Sequence, residues 1–294
     1  MLRRRMAVLI GCTIGVAGLG LGTVIATSHA SAAVGPTAIP LGDGHVTTTP
    51  KKGYVDSCGT TFAPSPPGAT PPWINTKTHT WNSETKVSVQ GSVSWPDASF
   101  SVVLSGSTRV VTTNDLPVNH TTGVFPIAST DPAHAYDGNP NHIAADVMTW
   151  SLPANPVAAR HQSCTSPGPI GILTDGVVLY NALDANGRDA PAHEVLDRCG
   201  GHPDQVSRYH HHYVPPCMLD AATGRSTLVG YAIDGYGIYV ERNAHGALLT
   251  NANLDRCHGK TSKVMWNGKE TRIYHYDATI EYPYTVGCYH GTPI

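Results

Sequence analysis

Residues 196–217 read Leu-Asp-Arg-Cys-Gly-Gly-His-Pro-Asp-Gln-Val-Ser-Arg-Tyr-His-His-His-Tyr-Val-Pro-Pro-Cys, and much of this pattern returns downstream. Leu-Asp-Arg-Cys-His-Gly stands at 254–259, Tyr-His-Tyr-Asp at 274–277, and Cys288 answers Cys217. Upstream, Gly171, Asp175, Gly176, Tyr180, Ala185 and Gly187 recur without gaps as Gly230, Asp234, Gly235, Tyr239, Ala244 and Gly246. Matched blocks in one order make 170–217 and 229–288 two copies of one unit, which predicts a pseudo-symmetric pair rather than a solenoid.

Each copy runs Asp-Gly turn, apolar-aromatic strand, Gly-containing turn, Leu-Asp-Arg-Cys, Tyr-His strand and closing Cys. Asn186-Gly187 and His245-Gly246 sit where hairpins reverse. No segment sustains three helical turns of amphipathic spacing, and the best, Ala192 to Arg198, reaches barely two. The predicted fold is mainly β, disulfide-stabilised and turn-rich, with two pseudo-symmetric copies of a hairpin-containing unit and little helix.

Outward from the repeat, strand signals continue toward the N-terminus. Val87, Val89, Val93 and Trp95 alternate with polar residues, as do Phe100, Val102 and Leu104 before a turn at Gly106 and a second run through Val110 and Val111. These predict half-buried strands. Asn114-Asp115 closes that unit, and Val147 to Leu152 predicts a short strand. The expected division is an export signal over 1–32, a Pro/Gly/Thr-rich linker or arm over 33–72, an N-terminal β region over 73–169, and the duplicated unit over 170–294, continuous with 73–169.

Arg3 to Arg5, an uncharged apolar run from Met6 to Ile25, and Ala30-Ser31-Ala32 have the form of an export signal, Sec or twin-arginine, with an uncleaved anchor as the alternative. Without those three arginines, 16 basic residues face 21 acidic ones, a net charge of about −5. No basic cluster follows Arg5, which argues against nucleic acid as partner. No later segment approaches membrane-spanning length. The expected location is secreted or extracytoplasmic, with a metal ion or the cell wall as conceivable ligand and no partner named by the sequence.

Six cysteines remain after Cys12 leaves with the signal, an even number that in an exported chain reads as disulfides. Six allow about 15 pairings. If they follow the repeat, Cys199 joins Cys217, Cys257 joins Cys288, and Cys58 is left for Cys164, the first two loops each contributing on the order of 3 kcal/mol.

At these residues the chain resembles the YHYH-domain family, exported proteins with a Tyr-His-Tyr-His signature. The likeness is carried by Asp-Arg-Cys-Gly-Gly-His (197–202), Tyr-His-x-His (209–212), Gly-Tyr-Ala-Ile-Asp-Gly (230–235) and Tyr-Pro-Tyr-Thr-Val-Gly-Cys (282–288). Asn-Asp-Leu-Pro (114–117) and Gly-Val-Phe-Pro (123–126) extend it over roughly 110–294. The resemblance implies a fold unit and no established activity. His211 replaces the second Tyr of the signature in the first copy, and Asp277 the last His in the second.

On a strand, His210 and His212 share a face about 6.6 Å apart, a spacing from which two imidazoles converge on one metal. His275 and Asp277 repeat the relation. If the copies face each other, these four donors gather around one ion, zinc or copper by donor chemistry. His202 can close a first-copy site alone, whereas Lys260 stands at its counterpart. The bland alternative is structural histidines bonded to neighbouring backbone.

Asp175 and Asp234 precede Gly in matched turns and read as structural. Asp184 to Asp189 hints at a calcium loop but lacks its closing Glu. Leu-Asp-Arg-Cys predicts a local Asp–Arg salt bridge. No familiar hydrolase motif occurs, and His193-Glu194 reads as polar surface. Whether the protein is an enzyme is left open. The leading function is binding of a divalent metal through His202, His210, His212, His275 and Asp277. The alternatives are a metal-assisted hydrolase with Glu194 or Asp277 taking the proton, and a noncatalytic wall or glycan-binding module stacking on Trp73, Trp81 and Trp95.

Overall fold

The computed structural model describes residues 35–64 and 70–294. The export signal read over 1–32, Cys12 included, lies outside the described residues. The first elements are two-residue strands: β1 (Ile39–Pro40), β2 (Val46–Thr47), β3 (Val55–Asp56), β4 (Ile74–Asn75) and β5 (Thr80–Trp81). They form a three-stranded sheet β1-β5-β4 and a β2-β3 pair. In the described part of the Gly/Pro-rich stretch, Ile39 and Val55 are buried, and Cys58 is bridged to Cys164.

β6 (Phe100–Ser105), β7 (Thr108–Thr113) and β8 (Met148–Pro153) make an antiparallel sheet. Its hairpin reverses at Gly106, whose φ of 60° suits a residue without Cβ. Burial alternates along β7 but not along β6, where Val103 and Leu104 face solvent. β6 and β8 are the two edges of this sheet, and it is Val111 of β7 and Leu152 of β8 that pack on the large sheet. The Val87 to Trp95 run does not become a ladder. Val89 bridges Asp197 and Val93 bridges Thr122, because Gly91 at φ 93° turns the chain between them and no one partner strand serves both.

The C-terminal half supplies β9 (Pro169–Leu173), β10 (Val178–Tyr180), β11 (Gly201–Pro203), β12 (Tyr209–His211), β13 (Ser226–Ala232), β14 (Gly237–Glu241), β15 (Gly259–Trp266) and β16 (Lys269–Asp277). They form one sheet in the order β11-β12-β10-β9-β13-β14-β16-β15. From the central antiparallel pair β9-β13 outward, each side has an antiparallel neighbour, then a parallel strand, then an antiparallel edge. Gly171 and Gly230 sit at that junction, where an added Cβ would lie 2.8 Å from the Tyr231 carbonyl and 2.7 Å from the Ile172 carbonyl. Close backbone approach requires glycine there.

Successive side chains of the central strands enter different cores. Ile170, Ile238 and Val240 join Val286 and Tyr289 on one face, while Ile172 and Tyr239 join Trp266, Val111 and Leu152 on the other. Arg109 is buried against Tyr231 and Trp266 with no carboxylate partner among the described residues, and its guanidinium donates to Asn267.

The fold is mainly β. Its α-helices among the described residues are short, α1 (Ala190–His193) and α2 (Pro216–Ala221). None is long and apolar enough to cross a membrane. The three disulfides among the described residues follow the pairing expected from the repeat: Cys199–Cys217, Cys257–Cys288 and Cys58–Cys164.

Candidate metal centre

β12 lies parallel to β10 and antiparallel to β11, which sets His202 directly across from His210. The strand period sends Tyr209 and His211 to one face and His210 to the other. His212, just past the strand end, returns to the His210 face, so that their Nε2 atoms lie 3.1 Å apart. Glu194, in the chain following α1, brings Oε2 to 3.0 Å from His212 Nε2 and 3.3 Å from His202 Nε2. His202, His210 and His212 are buried to within 6 % of complete.

The backbone fixes the tautomers. His210 Nδ1 faces the Arg208 carbonyl at 3.2 Å and His212 Nδ1 faces the Asn181 carbonyl at 2.6 Å. A carbonyl only accepts, so Nδ1 of each ring carries hydrogen and, in the neutral ring, Nε2 is left with its lone pair. Two such lone pairs and a carboxylate oxygen then point at one another with no donor between them. Neither nitrogen of the His202 ring has a hydrogen-bond partner. A cation, either a proton held there or a metal ion, would reconcile this arrangement. The separations match the roughly 3.3 Å edges of a tetrahedron with metal–ligand bonds of about 2.0–2.1 Å.

Electrostatics agree with a cation-seeking centre. Burial opposes ionisation of Glu194, but His202 and His212 prevail and hold its carboxyl well below the usual range. Burial and the flanking His202 and His212 rings drive the His210 pKa well below its ordinary value, whereas at His212 the Glu194 carboxylate overcomes burial and raises it. Tyr180 stacks on His210 with centroids 4.1 Å apart. The cluster lines a cleft of about 860 Å³ whose walls include Phe62, Asp137, Asn139, Tyr180 and Asp204.

His211 faces away into a different network. Its Nδ1 meets the Gly200 carbonyl at 3.0 Å and its Nε2 meets Asp175 Oδ2 at 3.1 Å, the same oxygen that His120 Nε2 reaches at 3.2 Å. Both ring nitrogens are used. In the second half Tyr276 donates to Asp234 Oδ2 at 2.6 Å, so the His-for-Tyr exchange preserves a donor to the turn carboxylate. Asp175 and Asp234 also accept from Val177 and Tyr236 amides, as turn residues do.

The predicted Asp–Arg salt bridge is replaced by turn capping. Asp197 accepts from the Cys199 and Gly201 amides and the Tyr209 hydroxyl, and Asp255 from Cys257, Gly259 and Tyr274. Arg256 reaches Gln162 instead. The calcium-loop reading also falls, since Asp184 is occupied by the Asn186 and Arg188 amides and the Arg188 guanidinium.

His275 and Asp277 are buried on β16, with Nε2 and Oδ2 3.7 Å apart. Glu241 of β14 adds Oε1 at 3.4 Å from His275 Nε2. Lys260, directly across from His275 on β15, is ion-paired with Glu241. The expectation of one ion shared by both copies is overturned by strand order. β10, β9, β13 and β14 intervene between β12 and β16, five inter-strand steps or about 24 Å. Asp277 is therefore out of reach of the His202 centre as a proton acceptor.

Glu194 was legible only as surface or as a base; its place beside the imidazoles depends on α1 turning the chain inward. His193 diverges from it and pairs with Asp43 at 2.9 Å. His120 and Glu241 were not anticipated, since both come from outside the two Tyr-His strands. Trp73 and Trp81 are buried in the core, which removes them as stacking faces.

Fold and site together define a disulfide-bridged β protein built around buried histidine–carboxylate clusters. The family model described as "YHYH protein" matches residues 149–250, so that this stretch of the chain is similar to the YHYH family. The match covers the His202, His210, His212 and Glu194 cluster and ends before β15. Neither a curated protein nor a solved structure matches the chain.

Proposed function

We propose that the protein binds one divalent metal ion, zinc or copper, through His202, His210, His212 and Glu194. The observation that carries this reading is the convergence of Nε2 atoms whose Nδ1 partners are backbone carbonyls. Imidazole and carboxylate donors suit borderline divalent ions, and the cysteines are withdrawn into disulfides. Those disulfides fit an extracytoplasmic protein, and the basic-then-apolar leader supports export as the route.

The test is elemental analysis of untagged protein after zinc reloading and dialysis. About one zinc per chain is expected, with loss of it in His210→Ala and weakened retention in Glu194→Gln. No retained metal in the folded wild type refutes the reading.

A second reading, metal-assisted hydrolysis, is favoured by the cleft above the cluster. With Glu194 taking a proton instead of ligating, the three imidazoles would leave a position at which a bound metal would lower the pKa of water, while Tyr180 and the amide-rich walls position the substrate. Turnover of an ester, phosphoester, peptide or glycan that needs zinc and disappears in His210→Ala would support it. Silence across all four classes with zinc-loaded protein would remove it.

A further inference from the structure

The second half carries the same framework with one decisive exchange. His202 pairs across the ladder with His210, and Lys260 pairs across the ladder with His275; Gly201 and Gly259, which precede them, pair with His211 and Tyr276. The residue two beyond each central histidine is His212 in one half and Asp277 in the other. A carboxylate from elsewhere completes each cluster: Glu194 in the first, Glu241 in the second.

His275 Nδ1 faces the Ile273 carbonyl at 3.1 Å, as His210 Nδ1 faces that of Arg208. Its Nε2 is again directed at carboxylates. Asp277 is fully buried and neither of its carboxylate oxygens has a hydrogen-bond partner. Glu241, His275 and Asp277 offer one ligand atom each, all within 4.8 Å of one another.

We infer that the second half is a metal-type site occupied by the chain's own ammonium, Lys260, so that the protein holds one exchangeable cation and one built-in cation. This rests on the metal reading of the first half for its comparison, but its own residues are separate. Lys260 is ion-paired with Glu241, and its side chain is only 27 % exposed. A lysine head carries a single positive charge, which neutralises Glu241 without an imported ion and leaves Asp277 without a hydrogen-bond partner. Replacing it by the residue at the matched position of the first half should convert the cluster into a second metal site.

The experiment is zinc stoichiometry, by elemental analysis after reloading and dialysis, on wild type and Lys260→His. The expected result is roughly one zinc per chain in the wild type and roughly two in the variant, the second lost on adding His275→Ala. A folded Lys260→His that stays at the wild-type value overturns the inference and leaves the first-half reading intact. Two ions in the wild type also overturn it, because Lys260 would then exclude nothing. No ion in the wild type with one in Lys260→His refutes the first-half proposal alone, and none in either refutes both.

Should Lys260→His fail to fold, Lys260→Met in a His210→Ala background isolates the second cluster. Zinc should then raise Tm, and the rise should vanish with His275→Ala. Absence of any zinc-dependent rise overturns the inference.

Discussion

In the first half His210 and His212 direct their Nε2 lone pairs toward one point beside Glu194 and His202; in the second, matched backbone positions hold His275, Asp277 and Lys260, and a positive charge arrives on the chain itself. The register of the two ladders is the same. What differs is the edge residue, His202 or Lys260, the residue two past the central histidine, His212 or Asp277, and the origin of one carboxylate, Glu194 or Glu241. Strand pairing thus fixes where the donors point, and under the proposal above the residue at the edge position, His202 or Lys260, decides whether the cation is imported or covalently attached.

The largest effect that would break this comparison is in metal affinity. His210→Ala or His212→Ala should weaken zinc by more than the ~10–100-fold typical of losing an outer partner, whereas His275→Ala should leave the first-half affinity unchanged. Competition with a chromophoric chelator measures both. Equal losses from both halves would return the shared-ion idea that strand order excludes.

Next in size is the donor to the turn carboxylate. His211→Ala leaves Asp175 buried with a lost partner and should cost about 3 kcal/mol in denaturant unfolding. His211→Tyr, the residue of the second half, should recover most of that if Tyr276 and His211 serve the same purpose. A Tyr variant as unstable as the Ala variant would show that the halves differ at this position after all.

A pH dependence tests a contact that joins the halves. Asp189 accepts from the Tyr284 hydroxyl at 2.7 Å and the Gly42 amide at 2.8 Å. Burial pushes its carboxyl up to about 6, outweighing those hydrogen bonds. A folded pKa above the unfolded one means that the native state holds the proton more tightly. The stability this contributes is fully present below about pH 4 and is lost as pH rises toward 6. Relative to Asp189→Asn, the wild type should therefore lose up to about 3 kcal/mol across that window, read from urea midpoints at pH 4, 5 and 6. A pH-independent difference between the two proteins would contradict it.

The smallest expected effect is a control on the second half. Lys263 and Glu270 pair at 2.8 Å on the same two strands as Lys260, but both are more than 60 % exposed. Lys263→Ala should change stability by no more than about 0.5 kcal/mol, well below Lys260→Ala. Similar values for the two lysines would mean that burial of the Lys260 cluster contributes little.

Much of the fold was legible because its signals are local or repeated. Gly106 between two apolar runs announced the β6–β7 hairpin, and the duplicated order of cysteines selected one disulfide pattern. His210 and His212 were placed on one face by strand period alone. The Val87 to Trp95 alternation misled because period two registers an extended chain, not a partner strand to pair with. Trp73 and Trp81 misled similarly, since an aromatic ring is as apt for a core as for a stacking surface.

By itself the sequence determined a β-rich, disulfide-linked chain with two related histidine strands and the candidate ligands His202, His210 and His212. Those features follow from spacing along the backbone. Only the tertiary structure decided that Glu194 completes the cluster, that Asp175 claims His211, and that the two histidine strands stand far apart in one sheet. These depend on strand order and on side chains arriving from remote segments, and no local periodicity encodes which distant carboxylate will meet which ring.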